Sequence, residues 1–256
     1  MKKELLRKYL LFVAMAVSVA IIFYFLFLNK PSNAVPEVIF TEPKNLNLNS
    51  ETGSTNSNSV TANTNTSTPK SPGSVLIQMS FISQAPFANW DALHEDACEE
   101  ASLIMVYHYY NKSTIGGAQQ GEDEIQKLIE FEATNGYGQS ITLSELSNIA
   151  NKYYNMSTGR ILNADRETII KQLDAGKPVI IPAAGKLLLN PNFKNGGPNY
   201  HMLIIKGYDK DGFITNDPGT KKGEGFRYSY ENLFESIHDW DPNNILNGEK
   251  KVLVFD

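Results

Sequence analysis

One cysteine, Cys98, occurs in the 256 residues of the sequence, so the thiol has no partner within the chain for a disulfide. It lies in HEDACEEASLIMVYHYY, where an acidic stretch gives way to an apolar one. A lone cysteine is a small buried hydrophobe, a metal ligand or a nucleophile. A metal site needs further ligands near the sulfur, and a nucleophile needs a base.

The residues around Cys98 predict the start of a helix. Asp96 is a favoured N-cap type and Glu99 follows three residues later, which indicates a capping box before an apolar helix over 97–110. Cys98 then lies in the first turn, where unpaired backbone N–H groups and the positive end of the helix dipole favour a thiolate and can bind an oxyanion. This setting is compatible with a nucleophile and with an inert thiol. The presence of a base near Cys98 would distinguish the two.

The four histidines differ in their surroundings. His108 belongs to the apolar helix and is expected to pack there, and His238 is expected at the surface. His94 precedes the helix and shares no helical face with Cys98, and two ligands fall short of a zinc site. His201 starts the apolar strand HMLIIKGYD after a glycine-rich loop, so we expect it at the rim of a sheet beside an accessible gap.

Two polar residues on the returning strand of a hairpin are candidates to orient His201. A three-residue turn at 210–212 places Asp217 on the face of His201, whereas a two- or four-residue turn places Asn216 there. In both cases the partner is displaced by about 10 Å along the ladder. Twist, a bulge or the turn after Pro218 must close this gap, so both residues remain candidates.

Together these residue types predict thiol-based acyl chemistry. A thiolate attacks a carbonyl carbon, a histidine exchanges the proton, and a third polar group orients the imidazole. Gln84, fourteen residues before Cys98, is a candidate side-chain donor to the oxyanion.

The sequence resembles the papain-like cysteine peptidases over nearly all of 75–256. The motifs are FISQAPFANWD with HEDACEEAS, DAGKPVII, YHMLIIKGYD and FITNDP. Among these peptidases it is most similar to the bacterial group related to the peptidase domains of bacteriocin exporters, family thirty-nine, which removes double-glycine leader peptides. The resemblance implies a papain-like fold, with the nucleophile helix in an N-terminal helical half and an antiparallel sheet in the C-terminal half.

The resemblance also assigns roles to residues of this chain. It implies that Cys98 is the nucleophile, His201 the general base and acid, and Asp217, in preference to Asn216, the residue that orients the imidazole. Gln84 is implied as the oxyanion donor, and no metal or organic cofactor is implied. Two positions differ from the usual pattern: Glu99 stands where the family usually has glycine, and Gln84 lies further upstream than usual.

The folded part is predicted to be of the α+β class. Strands are expected around 74–83, 179–183, 201–209 and 250–255, and amphipathic helices near 122–133 and 142–154. A further short helix is expected to start at Asp165, an N-cap type. It should end before Gly176, which suits the left-handed C-terminal position, and Pro178 prevents its continuation.

The N-terminal part predicts membrane attachment. Residues 1–8 are basic, and 9–28 are free of charge and long enough to cross a bilayer as a helix. The positive-inside rule places the N-terminus in the cytoplasm and the rest outside the cell membrane. The alternative is a signal peptide cleaved after SNA, before Val35. Residues 31–74 are rich in Ser, Thr and Asn and predict a disordered tether to the domain at 75–256.

The formal net charge of -5 argues against nucleic acid as a partner. Asp239, Asp241 and Asn243 alternate as in a calcium loop, but Asn244 and Lys250 occupy the positions of the required glycine and glutamate. The sequence therefore predicts a membrane-tethered, extracytoplasmic cysteine peptidase that acts on peptides or proteins. The alternatives are an inactive papain-like peptide-binding module and an amidase or acyl transferase that acts on cell-wall peptides.

Overall fold

The structure is a computed structural model that describes residues 73–256. The basic segment 1–8, the expected span 9–28 and the expected tether up to residue 72 lie outside the described residues. Within 73–256, no helix is both long and apolar enough to cross a membrane.

The helices and strands alternate irregularly along the chain. The α-helices of residues 73–256 are α1 (Cys98–Tyr110), α2 (Ala118–Thr134), α3 (Leu143–Tyr154), α4 (Arg166–Asp174) and α5 (Tyr230–Ser236). The strands are β1 (Val75–Leu76), β2 (Arg160–Asn163), β3 (Val179–Ala184), β4 (Tyr200–Tyr208), β5 (Phe213–Asn216), β6 (Glu224–Tyr228) and β7 (Lys251–Val254).

The strands of the described part form one antiparallel sheet in the order β2-β7-β3-β4-β5-β6, and β1 pairs with the end of β4. Three helices come before β2, whereas six of the strands follow α3. The predicted α+β class, with a helical first half and an antiparallel sheet in the second half, is therefore confirmed.

Alternate residues of the central strand β4 enter two separate apolar cores. Met202 and Ile204 pack with the apolar residues of α1, α2 and α3. Leu203 and Ile205 pack on the other side of the sheet with residues of α4 and α5. Because successive side chains of a strand point to opposite faces, β4 joins the two layers and fixes the position of α1 against the sheet.

The start of α1 differs from the prediction. Ala97 occupies the N-cap position, and no side chain caps the first turn. The expected capping box between Asp96 and Glu99 is therefore wrong: the buried Glu99 carboxyl group instead accepts hydrogen bonds from the Cys98 thiol and from the backbone N–H of Ile141. A capping box does form at α3, between Thr142 and Glu145.

Two other predicted helix boundaries are confirmed. The Asp165 carboxylate accepts a hydrogen bond from the backbone N–H of Thr168 at the start of α4. Gly176 follows α4 with a φ of 74°, a left-handed conformation that costs glycine little.

The predicted strand over 74–83 is limited to Val75–Leu76. After Ile77, whose N–H bonds to the Lys206 carbonyl, the chain leaves the sheet and runs along the helical core. There side chains satisfy its backbone; for example, the Asn216 amide donates to the Ser80 carbonyl. Apolar periodicity alone does not distinguish such a segment from a longer strand.

We expect Ile204→Ala to destabilise the domain by about 2–5 kcal/mol, because a fully buried side chain in the strand that joins the layers would leave a cavity. Urea denaturation measures this change. Leu246→Ala is the control, since Leu246 is 53% exposed and its loss should change the free energy of unfolding by no more than about 0.5 kcal/mol. Equal effects of the two substitutions would contradict the described packing.

Candidate active site

His201 and Asp217 form a buried hydrogen-bonded pair. The Nε2 atom of His201 lies 2.7 Å from Oδ1 of Asp217, and both side chains are almost inaccessible to solvent. The other ring nitrogen, Nδ1, is buried and has no hydrogen-bond partner among the described residues. An imidazole oriented by a carboxylate at Nε2 therefore keeps Nδ1 free to exchange a proton.

Several donors compensate the burial of Asp217. The Tyr228 hydroxyl donates to Oδ2 at 2.5 Å, the Asn190 amide donates to Oδ2 at 3.1 Å, and the Gly219 N–H donates to Oδ1 at 3.0 Å. Burial alone would raise the pKa of Asp217, but the adjacent His201 and these hydrogen bonds bring the pKa below its ordinary value. Asp217 is therefore held as a carboxylate.

The hairpin brings the pair together through two deviations that compensate each other. Tyr208 pairs with Phe213, so the turn has four residues, 209–212, which by itself would place Asn216 on the face of His201. The register then shifts between Ile205 and Gly207, so one extra residue lies in β4. This bulge reverses the parity and returns Asp217 to the face of His201.

The remaining distance along the ladder is closed by the turn after β5. Ile204 pairs with Asn216, so the next position puts Asp217 opposite Leu203, about 7 Å along the strand from His201. Asp217 directly follows β5, and its carboxylate reaches back towards His201 while the Gly219 N–H donates to it. Asn216 makes different contacts, since its amide donates to the Ser80 carbonyl and its carbonyl oxygen accepts from the Gly225 N–H.

Tight packing holds the imidazole ring of His201 in place. Phe193 meets the ring edge to face, with centroids 5.3 Å apart. A Cβ atom at Gly219 would lie 2.8 Å from Cε1 of His201, so only glycine allows this close approach of the backbone. The ring is thus confined by an aromatic side chain and by the loop that follows Asp217.

Cys98 occupies the first turn of α1 and lies against the strand that carries His201. Its sulfur is close to the backbone N–H of Met202, the residue that follows His201. The thiol donates a hydrogen bond to Oε2 of Glu99 at 2.8 Å. Burial, the charge of Glu99 and this hydrogen bond raise the pKa of the Cys98 thiol well above its usual range. In this arrangement the thiol is neutral and is paired with Glu99.

Gln84 is anchored beside the His201–Asp217 pair. Its backbone N–H donates to the carbonyl of Pro218, the residue after Asp217. Its side-chain amide donates both hydrogens, to the carbonyls of His94 and Glu95 at 2.8 and 3.1 Å. The long segment between Gln84 and Cys98 therefore folds back as a loop, which brings the distant glutamine to the site but engages its donor hydrogens.

A cleft of about 870 Å³ opens onto these residues, and Gln84 and His201 line it. Cys98 is 3% exposed and is not among the residues that line the cleft. The walls carry aromatic and charged side chains from several loops and from the start of β4: Trp90, Glu95, Asp96, Phe193, Lys194, Tyr200, Lys221, Lys222 and Trp240. A cavity of this size and mixed polarity can hold several residues of an extended peptide.

The other histidines have structural partners. His94 lies between Asp91 and Glu122, with nitrogen–oxygen distances of 2.7 and 3.0 Å. His108 bonds to Ser113 and Glu124, as expected of a packed helical histidine.

The carboxylates of the candidate calcium loop are engaged by backbone N–H groups. Asp239 accepts the backbone N–H of Leu143, and Asp241 accepts those of Asn243 and Asn244, so these carboxylates support turns. Among residues 73–256, no group of three or more His, Cys, Asp or Glu residues is arranged to hold a metal ion.

Two residues that support the site could not be identified from the sequence. Tyr228 and Asn190 both donate to Asp217, and the Asn190 amide also bonds to the Tyr228 hydroxyl at 2.7 Å. Tyr228 ends the short strand β6 and Asn190 lies in the loop before β4, so neither has a fixed spacing from His201 or Asp217. Their role emerges only once the strand order is known.

The helix α1 begins at Cys98 and packs on β4, whose second residue, His201, is bonded to a carboxylate. This arrangement is that of a papain-like peptidase domain. The family model described as Peptidase_C39 like family matches residues 76–244. The chain therefore belongs to this family, and it contains a C39-like, cysteine peptidase-like domain.

A solved structure from Bacillus anthracis, described as that of a C39-like peptidase, matches 72% of this chain and 98% of its own chain. The two sequences are 16% identical and the TM-score is 0.47. No curated protein matches the chain.

We expect Asp217→Asn to destabilise the domain most strongly above pH 4, by about 3–5 kcal/mol, because it breaks a buried pair. The folded-state pKa of Asp217 lies below its unfolded value. The stability that the ionised side chain contributes is therefore fully present above the unfolded pKa and is lost as the pH falls through the folded pKa. Urea denaturation between pH 7 and pH 3 should show the difference from wild type shrinking. Asp211→Asn, at an exposed site, is the control, and a pH-independent difference for Asp217→Asn would contradict the expectation.

Proposed function

We propose that this protein is a membrane-tethered, extracytoplasmic cysteine peptidase that hydrolyses peptides or proteins. The observation that carries the proposal is the buried His201–Asp217 pair, in which Nδ1 of His201 has no hydrogen-bond partner among the described residues. His201 lies on β4, and the first turn of α1, which contains Cys98, packs on this strand. Membership of the C39-like family supports the same chemistry.

In the proposed reaction, His201 Nδ1 accepts the proton of the Cys98 thiol, and the thiolate attacks the scissile carbonyl carbon. The tetrahedral intermediate collapses when the C–N bond breaks, and the imidazolium donates its proton to the leaving amine. Water, deprotonated by His201, then hydrolyses the thioester, which releases the carboxylic acid and regenerates the thiol. Asp217 stays ionised and stabilises the imidazolium throughout.

The oxyanion would be bound at the start of α1. No side chain caps this turn, so its backbone N–H groups are available to a ligand. Gln84 would add a side-chain donor after its amide turns from the carbonyls of His94 and Glu95. The role proposed for Gln84 thus includes a local rearrangement on substrate binding.

The membrane attachment in this proposal rests on the sequence. Residues 1–8 would lie in the cytoplasm, 9–28 would cross the membrane as a signal-anchor, and 31–74 would tether the peptidase domain at 75–256 outside. A cleaved signal peptide would release the domain but leave it in the same compartment.

A second candidate is a papain-like module that binds peptides without cleaving them. The thiol bonded to Glu99 and the engaged amide of Gln84 favour it, since neither group is ready for catalysis in this arrangement. Amidase or acyl-transfer chemistry on cell-wall peptides would use the same nucleophile, and assays with peptides and with cell-wall fragments distinguish it from proteolysis.

We expect purified full-length protein to react with iodoacetamide near neutral pH and to cleave unstructured peptides. Cys98 is the only thiol, so mass spectrometry follows the alkylation without ambiguity. His201→Ala should slow alkylation at least tenfold, because the proton acceptor is lost, and Cys98→Ser should abolish cleavage. His238→Ala is the matched control, since the His238 ring contacts backbone carbonyls of Gly248 and Glu235 and does not line the cleft. Equal alkylation rates for wild type and His201→Ala would support the binding module.

We expect the full-length protein to fractionate with membranes and to be removed by protease added outside the cell. Val19→Arg combined with Ile22→Arg should move it to the soluble fraction, because each arginine costs about 2.5–3.5 kcal/mol at the centre of a span. Membrane retention of this double variant, or protection of the domain from external protease, would contradict the proposed topology.

A further inference from the structure

The side chain of Glu99 contacts the Cys98 thiol directly and is connected through Ile141 to Tyr200 in the wall of the cleft. Glu99 is 1% exposed, and its Oε2 accepts the Cys98 thiol at 2.8 Å. Its Oε1 accepts the backbone N–H of Ile141 at 3.3 Å, and the Ile141 carbonyl accepts the hydroxyl of Tyr200 at 2.9 Å. Tyr200 lines the cleft next to His201. Both oxygens of Glu99 are therefore engaged, and its position is fixed from two sides.

The surroundings of Glu99 favour neutral groups. Burial and the neighbouring Glu100 raise the pKa of Glu99 well above its usual range. Within the described residues, the groups that face Glu99 and the thiol from α1, α2, the loop before α3 and β4 are Cys98, Glu100, Glu132, the Ile141 N–H, Tyr200 and the Met202 N–H. The Cys98 S–H group and nearby backbone N–H groups, including that of Glu99 itself, favour negative charge, but burial outweighs them at Glu99.

We propose that Glu99 is a positioning residue that holds the Cys98 thiol in a protonated resting orientation, from which Sγ must turn to His201 Nδ1 before it reacts. Two observations support this proposal: the Cys98 thiol bonds to Glu99 and not to His201, and Nδ1 of His201 has no hydrogen-bond partner among residues 73–256. The role of His201 in this statement rests on the proposed function, whereas the contact between Glu99 and the thiol does not.

The substitution Glu99→Gln replaces the carboxyl group but preserves the shape of the side chain. Glutamine keeps an oxygen that can accept the Ile141 N–H, so the support of the loop before α3 is preserved. Its amide nitrogen replaces the oxygen at the sulfur and donates a hydrogen bond, which favours the thiolate. Glu100→Gln is the matched control, because Glu100 is an adjacent buried carboxyl that interacts with Glu132 and not directly with the thiol.

The test is the pH dependence of iodoacetamide alkylation of the full-length protein. Thiolate displaces iodide from the reagent, so the midpoint of the profile reports ionisation and the high-pH plateau reports access to the sulfur. We expect Glu99→Gln to shift the midpoint down by about one pH unit, which makes alkylation below the midpoint about tenfold faster, with the plateau unchanged. Glu100→Gln should shift the midpoint less. An unchanged or higher midpoint for Glu99→Gln would overturn the proposal.

A measurement on the wild-type protein keeps the proposal falsifiable if the variant does not fold. The infrared S–H stretching band belongs to Cys98 alone, and a hydrogen bond to a carboxyl group lowers its frequency. A band at the frequency of a free thiol would overturn the proposal.

The results also separate this inference from the proposed function. If Glu99→Gln shifts the midpoint but His201→Ala does not slow alkylation, the Glu99 contact stands and the catalytic role of His201 fails. If His201→Ala slows alkylation and Glu99→Gln has no effect, the proposed function stands and the positioning role fails.

Discussion

A carboxylate that is removed from water must be compensated, and this requirement at Asp217 governs the architecture of the site. The cost of burying such an ion is several kcal/mol unless hydrogen bonds and an opposite charge replace its hydration. Here the compensating groups come from β4, from β6, from the loop before β4 and from the turn after β5. Each of these segments must lie where its donor can reach the Asp217 carboxylate. The burial of this one charge therefore constrains the segments that surround His201.

The carboxyl groups buried between the first turn of α1 and α2 avoid the cost of a buried charge in the opposite way. Glu99, Glu100 and Glu132 are buried with few donors, and burial raises the pKa of each carboxyl, that of Glu132 to about 7. These groups are stabilised by retaining protons, whereas Asp217 is stabilised as an anion. Two carboxyl environments of opposite character therefore flank β4, and the thiol lies in the one that favours neutral forms. This contrast is what separates the described arrangement from an activated nucleophile.

The sequence predicted features that depend on local chemistry. Asp165 caps its helix and Gly176 adopts a positive φ because both effects involve only neighbouring backbone groups. The predicted cap at Asp96 failed because Glu99, its expected partner, is committed to the thiol and to Ile141, a residue that is distant in sequence.

The site shows a similar division between local and tertiary information. A four-residue turn argues for Asn216 on the face of His201, and only the bulge in β4, which was not predicted, restores Asp217 to that face. The donors Tyr228 and Asn190 could not be predicted, since their proximity to Asp217 depends on strand order. The distance between Gln84 and Cys98 looked like a departure from the family, but the intervening loop closes on the glutamine side chain.

That closed loop has an evolutionary consequence. Its ends are joined by the Gln84 amide, and its base is tied to α2 through His94 and Glu122. Residues can therefore be gained or lost at its tip without moving either end, because the entropy of closing a loop changes only slowly with its length. Trp90 lies in this loop and lines the cleft. Selection can thus reshape one wall of the cleft while Cys98 and the His201–Asp217 pair stay where they are.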